Sequence, residues 1–547
     1  MNEQLLEWRK QHEKWVKITL SIAGGIVLLA CAGGYYVYKN YFQKEPERIV
    51  YDKDRVLKPI HNQLKGIDID NIKIKEKEVV NATVDELQKM VDDGKLSYEE
   101  LTSIYLFRIQ EHDQSGISLN AVTEINPDAM EAARKLDKER ALKKKSNLYG
   151  IPVIVKDNIQ TEKVMPTSAG TYVLKDWIAD EDATIVKKLK EEGAFVLGKA
   201  NMSEWANYLS FTMPSGYSGK KGQNLNPYGP ITFDTSGSSS GSATVVAADF
   251  APLAIGTETT GSIVAPASQQ SVVGLRPSLG MISRTGIIPL AETLDTAGPM
   301  ARTVKDAATL FNTMVSYDEK DAMTEKMKDR DRINYTNDLS IDGLKGKKIG
   351  ILFSVDQQDE NRKAVAEKIR KDIQDAGAIL SDDIQLNSEG VDNLQTLEYE
   401  FKHNVNDYLS KQKNVPVKSL EEIIAFNKKD SKRRMKYGQT LIEGSEKSAI
   451  TKGEFEKVVQ TSQENARKEI DRYLVEKGLD ALVMINNDEV LLSAVAGYPE
   501  LAVPAGYDSD GQPVGVVFVG KQFGEKELFN IGYAYEQQSK NRRSPKI

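Results

Sequence analysis

A run of β-branched residues, Val153-Ile154-Val155, ends on a lysine at position 156. Bounded by Gly150 and Pro152 on one side and Asp157-Asn158 on the other, it reads as a short buried strand. Taking an ammonium out of water at the end of such a strand is costly. The neighbouring sequence alternates in the same way. Residues 181–192 have a helical pattern and Ala194-Phe195-Val196-Leu197 a strand pattern. Lys347 to Phe353 then reads as a strand before the helix-like stretch 361–376. Alternation of this kind predicts an α/β fold, with a large mixed sheet flanked by helices.

Helix starts are legible upstream. Thr83-Val84-Asp85-Glu86 and Ser97-Tyr98-Glu99-Glu100 are both capping boxes, in which a hydroxyl and a carboxylate satisfy the free amides of a first turn. Another helix is predicted past Pro127 to about Lys145. The charged stretch 316–339 reads as a surface insertion. No internal repeat and no second linker is evident after Val80, so one large domain is expected over 81–547. It follows a tail (1–17), an apolar span (18–38) and a polar stalk and lead-in (39–80).

The apolar span, Ile18 to Tyr38, carries no charge and is long enough at about 1.5 Å per residue to cross a bilayer. Trp15 precedes it and Tyr35, Tyr36, Tyr38 and Tyr41 crowd its end, as interfacial aromatic residues do. A single transmembrane helix is the reading adopted. A cleaved signal peptide and a lipoprotein signal are the alternatives, the latter because of Leu28-Leu29-Ala30-Cys31. Flanking Lys and Arg residues balance on the two sides. An external position for the large domain on the cell membrane is the expected topology, from the shortness of the leader and the single cysteine.

Composition narrows the chemistry. Of 547 residues 40% are hydrophobic and 28% charged, which is ordinary for a globular chain, and a net charge of -7 offers no field for collecting nucleic acid. Cys31 is the sole cysteine, so neither an intramolecular disulfide nor a cysteine metal cluster is available. The four histidines, His12, His61, His112 and His403, have no nucleophile or carboxylate motif around them and read as surface residues. A histidine-based triad is hard to assemble from them.

Two tracts carry the chemical signal. Asp234-Thr235-Ser236-Gly237-Ser238-Ser239-Ser240-Gly241-Ser242-Ala243 runs into small apolar residues, unlike a linker, and Gly256-Thr257-Glu258-Thr259-Thr260-Gly261-Ser262-Ile263 follows. Glycine-rich loops bring backbone N–H groups close to an anion, so such a loop beside a serine can form an oxyanion hole. Amide hydrolysis also needs a base. A buried lysine whose pKa falls far enough to leave neutral amine can serve, and Lys156 is the best candidate in the chain.

With these residues in view, the chain resembles the amidase signature hydrolases over roughly 82–545. Gly150 to Asn158 is similar to the family's lysine motif and Met165-Pro166-Thr167-Ser168-Ala169-Gly170 to the segment after it. Gly237 to Ser242 is similar to the bridging-serine motif and Gly256 to Ala267 to the nucleophile motif. Asp295 to Pro299 and Ala496-Gly497-Tyr498-Pro499 complete the order. The resemblance implies that Ser262 is the nucleophile and that Ser238, on a cis peptide, relays its proton to Lys156. It also implies that the backbone N–H groups of Thr259, Thr260, Gly261 and Ser262 receive the oxyanion, with neither metal nor organic cofactor. Thr260 and Val264 depart from the glycine and arginine common there. Val264, with Asn201 to Asn207, brings the chain closest to peptide-amidase-like members. The expected reaction is hydrolysis of a carboxamide in a small molecule or peptide. The alternative is an ammonia-generating subunit like the A subunit of glutamyl-tRNA amidotransferase. Trp205, Phe211 and Tyr217 are candidate pocket residues, each more readily explained as core.

Overall fold

The computed structural model describes residues 44–547, apart from 145 and 331. The expected span 18–38 lies outside the described residues. Among those residues, no helix is long and apolar enough to cross a membrane.

Eleven strands form one mixed sheet. In chain order its strands and those of a two-stranded ribbon are β1 (Val122–Ile125), β2 (Pro152–Lys156), β3 (Phe195–Ala200), β4 (Tyr217–Ser218), β5 (Gly222–Gln223), β6 (Leu253–Glu258) and β7 (Val273–Arg276). There follow β8 (Thr296–Ala301), β9 (Lys348–Ile351), β10 (Ile379–Ser381), β11 (Ala481–Ile485), β12 (Glu500–Tyr507) and β13 (Pro513–Val519). The large sheet is ordered β1-β3-β2-β6-β8-β7-β12-β13-β11-β9-β10, and β4 and β5 make the ribbon. Strand β2 runs parallel to both β3 and β6, whereas β6, β8, β7, β12 and β13 alternate in direction. Every residue of β2, β6 and β8 is buried, as expected of strands covered by helices on both faces.

Local chemistry agrees with the sequence in several places. Both capping boxes form, with Thr83 and Ser97 each accepting from the amide three residues on while Glu86 and Glu100 reach back. The helix predicted past Pro127 is Ala129–Lys143 and that predicted over 361–376 is Glu360–Asp375.

Two expectations need correction. Residues 54–79, taken as stalk and lead-in, form the helices Asp54–Gln63 and Ile69–Val79, and Val56, Ile60, Ile72 and Val79 are buried. Their apolar positions recur only once per turn among many charges, too sparsely to register as an amphipathic period. The charged stretch 316–339 is also tied in. Asp321 is buried against Arg284, with Nε donating to Oδ2 at 2.9 Å, and Thr324, Met327 and Tyr335 are buried. Acidic residues there serve as partners for a half-buried arginine and for backbone amides.

Ile60 is fully buried, so Ile60→Ala should lower stability by about 2–5 kcal/mol through lost burial and the cavity left behind. Urea unfolding of residues 44–547 checks this. A change under about 0.5 kcal/mol, the range of an exposed position, would mean that the first helix does not belong to the core.

Candidate active site

Strand β2 sits between β3 and β6, and its last residue, Lys156, is fully buried. The Lys156 amine donates to Ser238 Oγ at 2.8 Å, Ser239 Oγ at 2.9 Å and the Thr257 carbonyl at 2.9 Å. Among the described residues, no carboxylate bonds to it. Burial pushes its pKa down to about 7, and the more distant charges of Asp295 and Glu258 oppose that shift only partly. Proton accounting then gives the amine a direction. The Ser239 hydroxyl donates to the Thr257 carbonyl at 2.9 Å, so Ser239 Oγ can only accept from Lys156, as can Thr257 O. A neutral amine spends its two protons on those acceptors and turns its lone pair to the Ser238 hydroxyl.

Ser238 follows Gly237 through a cis peptide bond. Gly237 is required by close approach, since a Cβ there would lie 2.5 Å from Ser203 Oγ. The Ser203 amide donates to the Ser238 carbonyl at 3.2 Å and the Ser239 amide to the Ser262 carbonyl at 3.1 Å. The second bond joins the two serine loops backbone to backbone. The helix Ser240–Ala247 then begins and packs on β6.

Ser262 lies in the turn between β6 and the helix Val264–Gln269 and retains 6% of its surface. Gly261 adopts φ +77°, a left-handed conformation that suits glycine. The carboxylate of Glu258 fills the turn from within. It accepts from the amides of Gly261 at 2.9 Å and Val264 at 3.0 Å, and from that of Ile263. Arg276, fully buried, lies 3.7 Å from Glu258 Oε1 and donates to the Thr259 carbonyl at 3.0 Å. The Thr259 hydroxyl donates to Asp295 at 2.6 Å. Of the four amides expected to form an oxyanion hole, that of Gly261 is therefore engaged by Glu258. Among the described residues, those of Thr259, Thr260 and Ser262 donate to no protein acceptor.

Three supporting groups were not singled out from the sequence: Ser239, Glu258 and Asp157. Glu258 was visible as an acid just before a helix start, where a carboxylate meets free amides. Asp157 is buried, paired with Lys220 at 3.1 Å. It also accepts from the Gly170 amide at 3.3 Å and from the Ser168 hydroxyl, binding the 165–170 segment to the end of β2. Nothing in its sequence position announces Lys220 as its partner. Trp205 and Tyr217 are core residues, buried edge-on against Phe401 and Tyr437, while Phe211 is half-buried. His61 and His403 are exposed, His112 is half-buried, and His12 lies outside the described residues. A cleft of about 1270 Å³ opens elsewhere, beside Lys143, Lys190 and Arg332, and none of Lys156, Ser238 and Ser262 lines it.

The amidase family model matches residues 100–529. A probable amidase of Arabidopsis thaliana is 37% identical over 483 residues, covering 86% of this chain and 92% of its own. The crystal structure of an amidase family protein from Bacillus anthracis is 88% identical with a TM-score of 0.92, covering 92% of this chain and all of its own. The peptide amidase of Stenotrophomonas maltophilia is 39% identical with a TM-score of 0.80, covering 85% of this chain and 98% of its own. The chain belongs to the amidase family and is an amide-hydrolysing enzyme.

Proposed function

We propose that this enzyme is a serine amidase that cleaves terminal carboxamides of peptides through Ser262, Ser238 and Lys156. The observation that carries the mechanism is the bond between a lysine amine held near pKa 7 and the Ser238 hydroxyl. Neutral Lys156 takes the proton of Ser238 as Ser238 takes that of Ser262, and Ser262 Oγ attacks the carboxamide carbon. The free amides of Thr259, Thr260 and Ser262 face the charge that develops on the carbonyl oxygen. When the C–N bond breaks, Ser238 returns a proton to the leaving nitrogen and Lys156 reprotonates Ser238. Ammonia departs and an acyl-Ser262 ester remains. Water, activated through the same relay, then hydrolyses the ester and restores the serine. Likeness to a peptide amidase supports peptide amides as the substrate class.

The purified enzyme, incubated with peptide amides, fatty amides, small aliphatic amides and glutamine, should release ammonia fastest from peptide amides. Preference for glutamine would favour the amidotransferase-like reading instead. Ser262→Ala and Lys156→Ala should each lower kcat/KM by at least about 10⁴-fold with an unchanged circular dichroism spectrum. Turnover within tenfold of wild type in either variant would refute the relay.

The base acts only when deprotonated. Its pKa of about 7 therefore places the acidic limb of the kcat/KM profile there, activity rising with pH through that value. Lys156→Arg, permanently charged, should be inactive at every pH. An acidic limb below pH 5 would assign the base elsewhere.

A membrane tether through 18–38, with the catalytic domain outside the cytoplasm, is proposed on the uncharged, aromatic-flanked character of that stretch. The full chain should sediment with membranes through a high-salt wash, while a chain lacking residues 1–43 stays in the supernatant. Equal partition of the two would dismiss the tether.

A further inference from the structure

Beneath the Ser262 turn lies a second carboxyl group that the mechanism does not use. Glu500, the first residue of β12, stands opposite Arg276 of β7 in antiparallel register. Both side chains are fully buried. Arg276 spends its Nη atoms on four carbonyls: Glu258 (3.3 Å), Thr259 (3.0 Å), Leu294 (3.0 Å) and Ala494 (3.1 Å). Among the described residues, its Nε has no hydrogen-bond partner and neither carboxyl oxygen of Glu500 has one. A buried carboxyl and a free donor thus stand at paired positions on neighbouring strands without bonding.

We infer that Glu500 is a positioning residue for Ser262, which as the neutral acid leaves Arg276 to Glu258 and as a carboxylate draws Arg276 away. The groups that face its carboxyl are Glu258 at the end of β6, Arg276 of β7 and Ser493 of the helix Val490–Ala496. On β13 its pairing partner is the apolar Val519. Ser493 has its proton committed to the Val490 carbonyl at 3.2 Å. Burial favours the neutral acid first, and the nearby negative charge of Glu258 adds to it, while Arg276 opposes the shift. Arg276 then balances Glu258 alone, and the Glu258 carboxylate holds the amides of Gly261, Ile263 and Val264 that shape the nucleophile turn. An ionised Glu500 would compete for Arg276 through its free Nε and slacken that turn.

The inference rests on the amidase reading for its effect on turnover, but its protonation can be tested without it. A carboxyl that is neutral when folded and ionised when unfolded contributes stability that is complete below the unfolded pKa of about 4.5 and declines as pH rises towards the folded pKa. Glu500→Gln keeps the shape and removes the ionisation. The unfolding equilibrium constant of wild type relative to Glu500→Gln, from urea titrations at pH 5 to 8, should grow with pH, by at most about tenfold per pH unit. A ratio independent of pH would overturn the inference, and Glu500→Met provides the same comparison should the amide pack poorly. For the effect on the site, the rate of fluorophosphonate labelling of Ser262 is followed from pH 7 to 10, each protein normalised to its own value at pH 7. The Glu500→Gln to wild-type ratio should rise with pH, and a constant ratio would overturn the positioning role. Failure of wild type to hydrolyse any amide would refute the proposed function and leave the urea comparison standing.

Discussion

Holding the Lys156 amine away from water determines much of what surrounds it. A buried ammonium loses several kcal/mol of hydration unless the protein replaces it. Here the replacement is two hydroxyls and one carbonyl, with no carboxylate. An acid at bonding distance would hold the proton on the amine and oppose the role of base proposed for it. The acids whose charges act on it instead have other partners: Asp295 accepts from Thr259, Leu290 and Ala291, and Glu258 from three amides of the Ser262 turn. Keeping them engaged keeps Lys156 near neutrality.

The sheet makes that arrangement possible. Strands β2 and β6 are parallel neighbours, so Lys156 and the Glu258–Ser262 turn leave the sheet from the same edge. Ligand sites in open α/β sheets gather at the carboxyl ends of strands for this reason. The serine tract then crosses both, its Ser239 bonded to the Thr257 carbonyl and to the Ser262 carbonyl through side chain and backbone respectively. One residue thereby ties together all three chain segments. Below them, Arg276 gathers four carbonyls and the Glu258 carboxylate, so the turn carrying Ser262 rests on a buried charge pair with few ways to move.

Much of this was legible in sequence where one residue type implies one physical problem. A lysine ending Val153-Ile154-Val155 implied a polar pocket, and Thr83 and Ser97 with acids three residues on implied helix starts. Partners far along the chain were not legible. Lys220 meets Asp157 across 63 residues and Arg284 meets Asp321 across 37, pairings that only the tertiary fold defines. The helices over 54–79 escaped notice because Val56 and Ile60, or Ile72 and Val79, give each helix a single narrow apolar strip, which becomes informative only once a surface exists to receive it. The oxyanion amides show the same limit. Four were implied by the family resemblance, and only the position of the Glu258 side chain separates Gly261 from the rest.

Lys199 shows why the lysine alone would have been a weak guide. It sits one residue before the end of the fully buried strand β3, in register with Val155 of β2, and burial lowers its pKa to about 7 as well. Its amine donates to Thr167 Oγ1 at 3.0 Å and to the Ile159 carbonyl. No serine of the 236–242 tract or the Ser262 turn reaches it, so its proton has no reacting group to serve. Burial of itself yields a weakly basic amine. What distinguishes Lys156 is that the one partner able to give it a proton, Ser238, lies in a loop whose next residue is bonded to the backbone of Ser262.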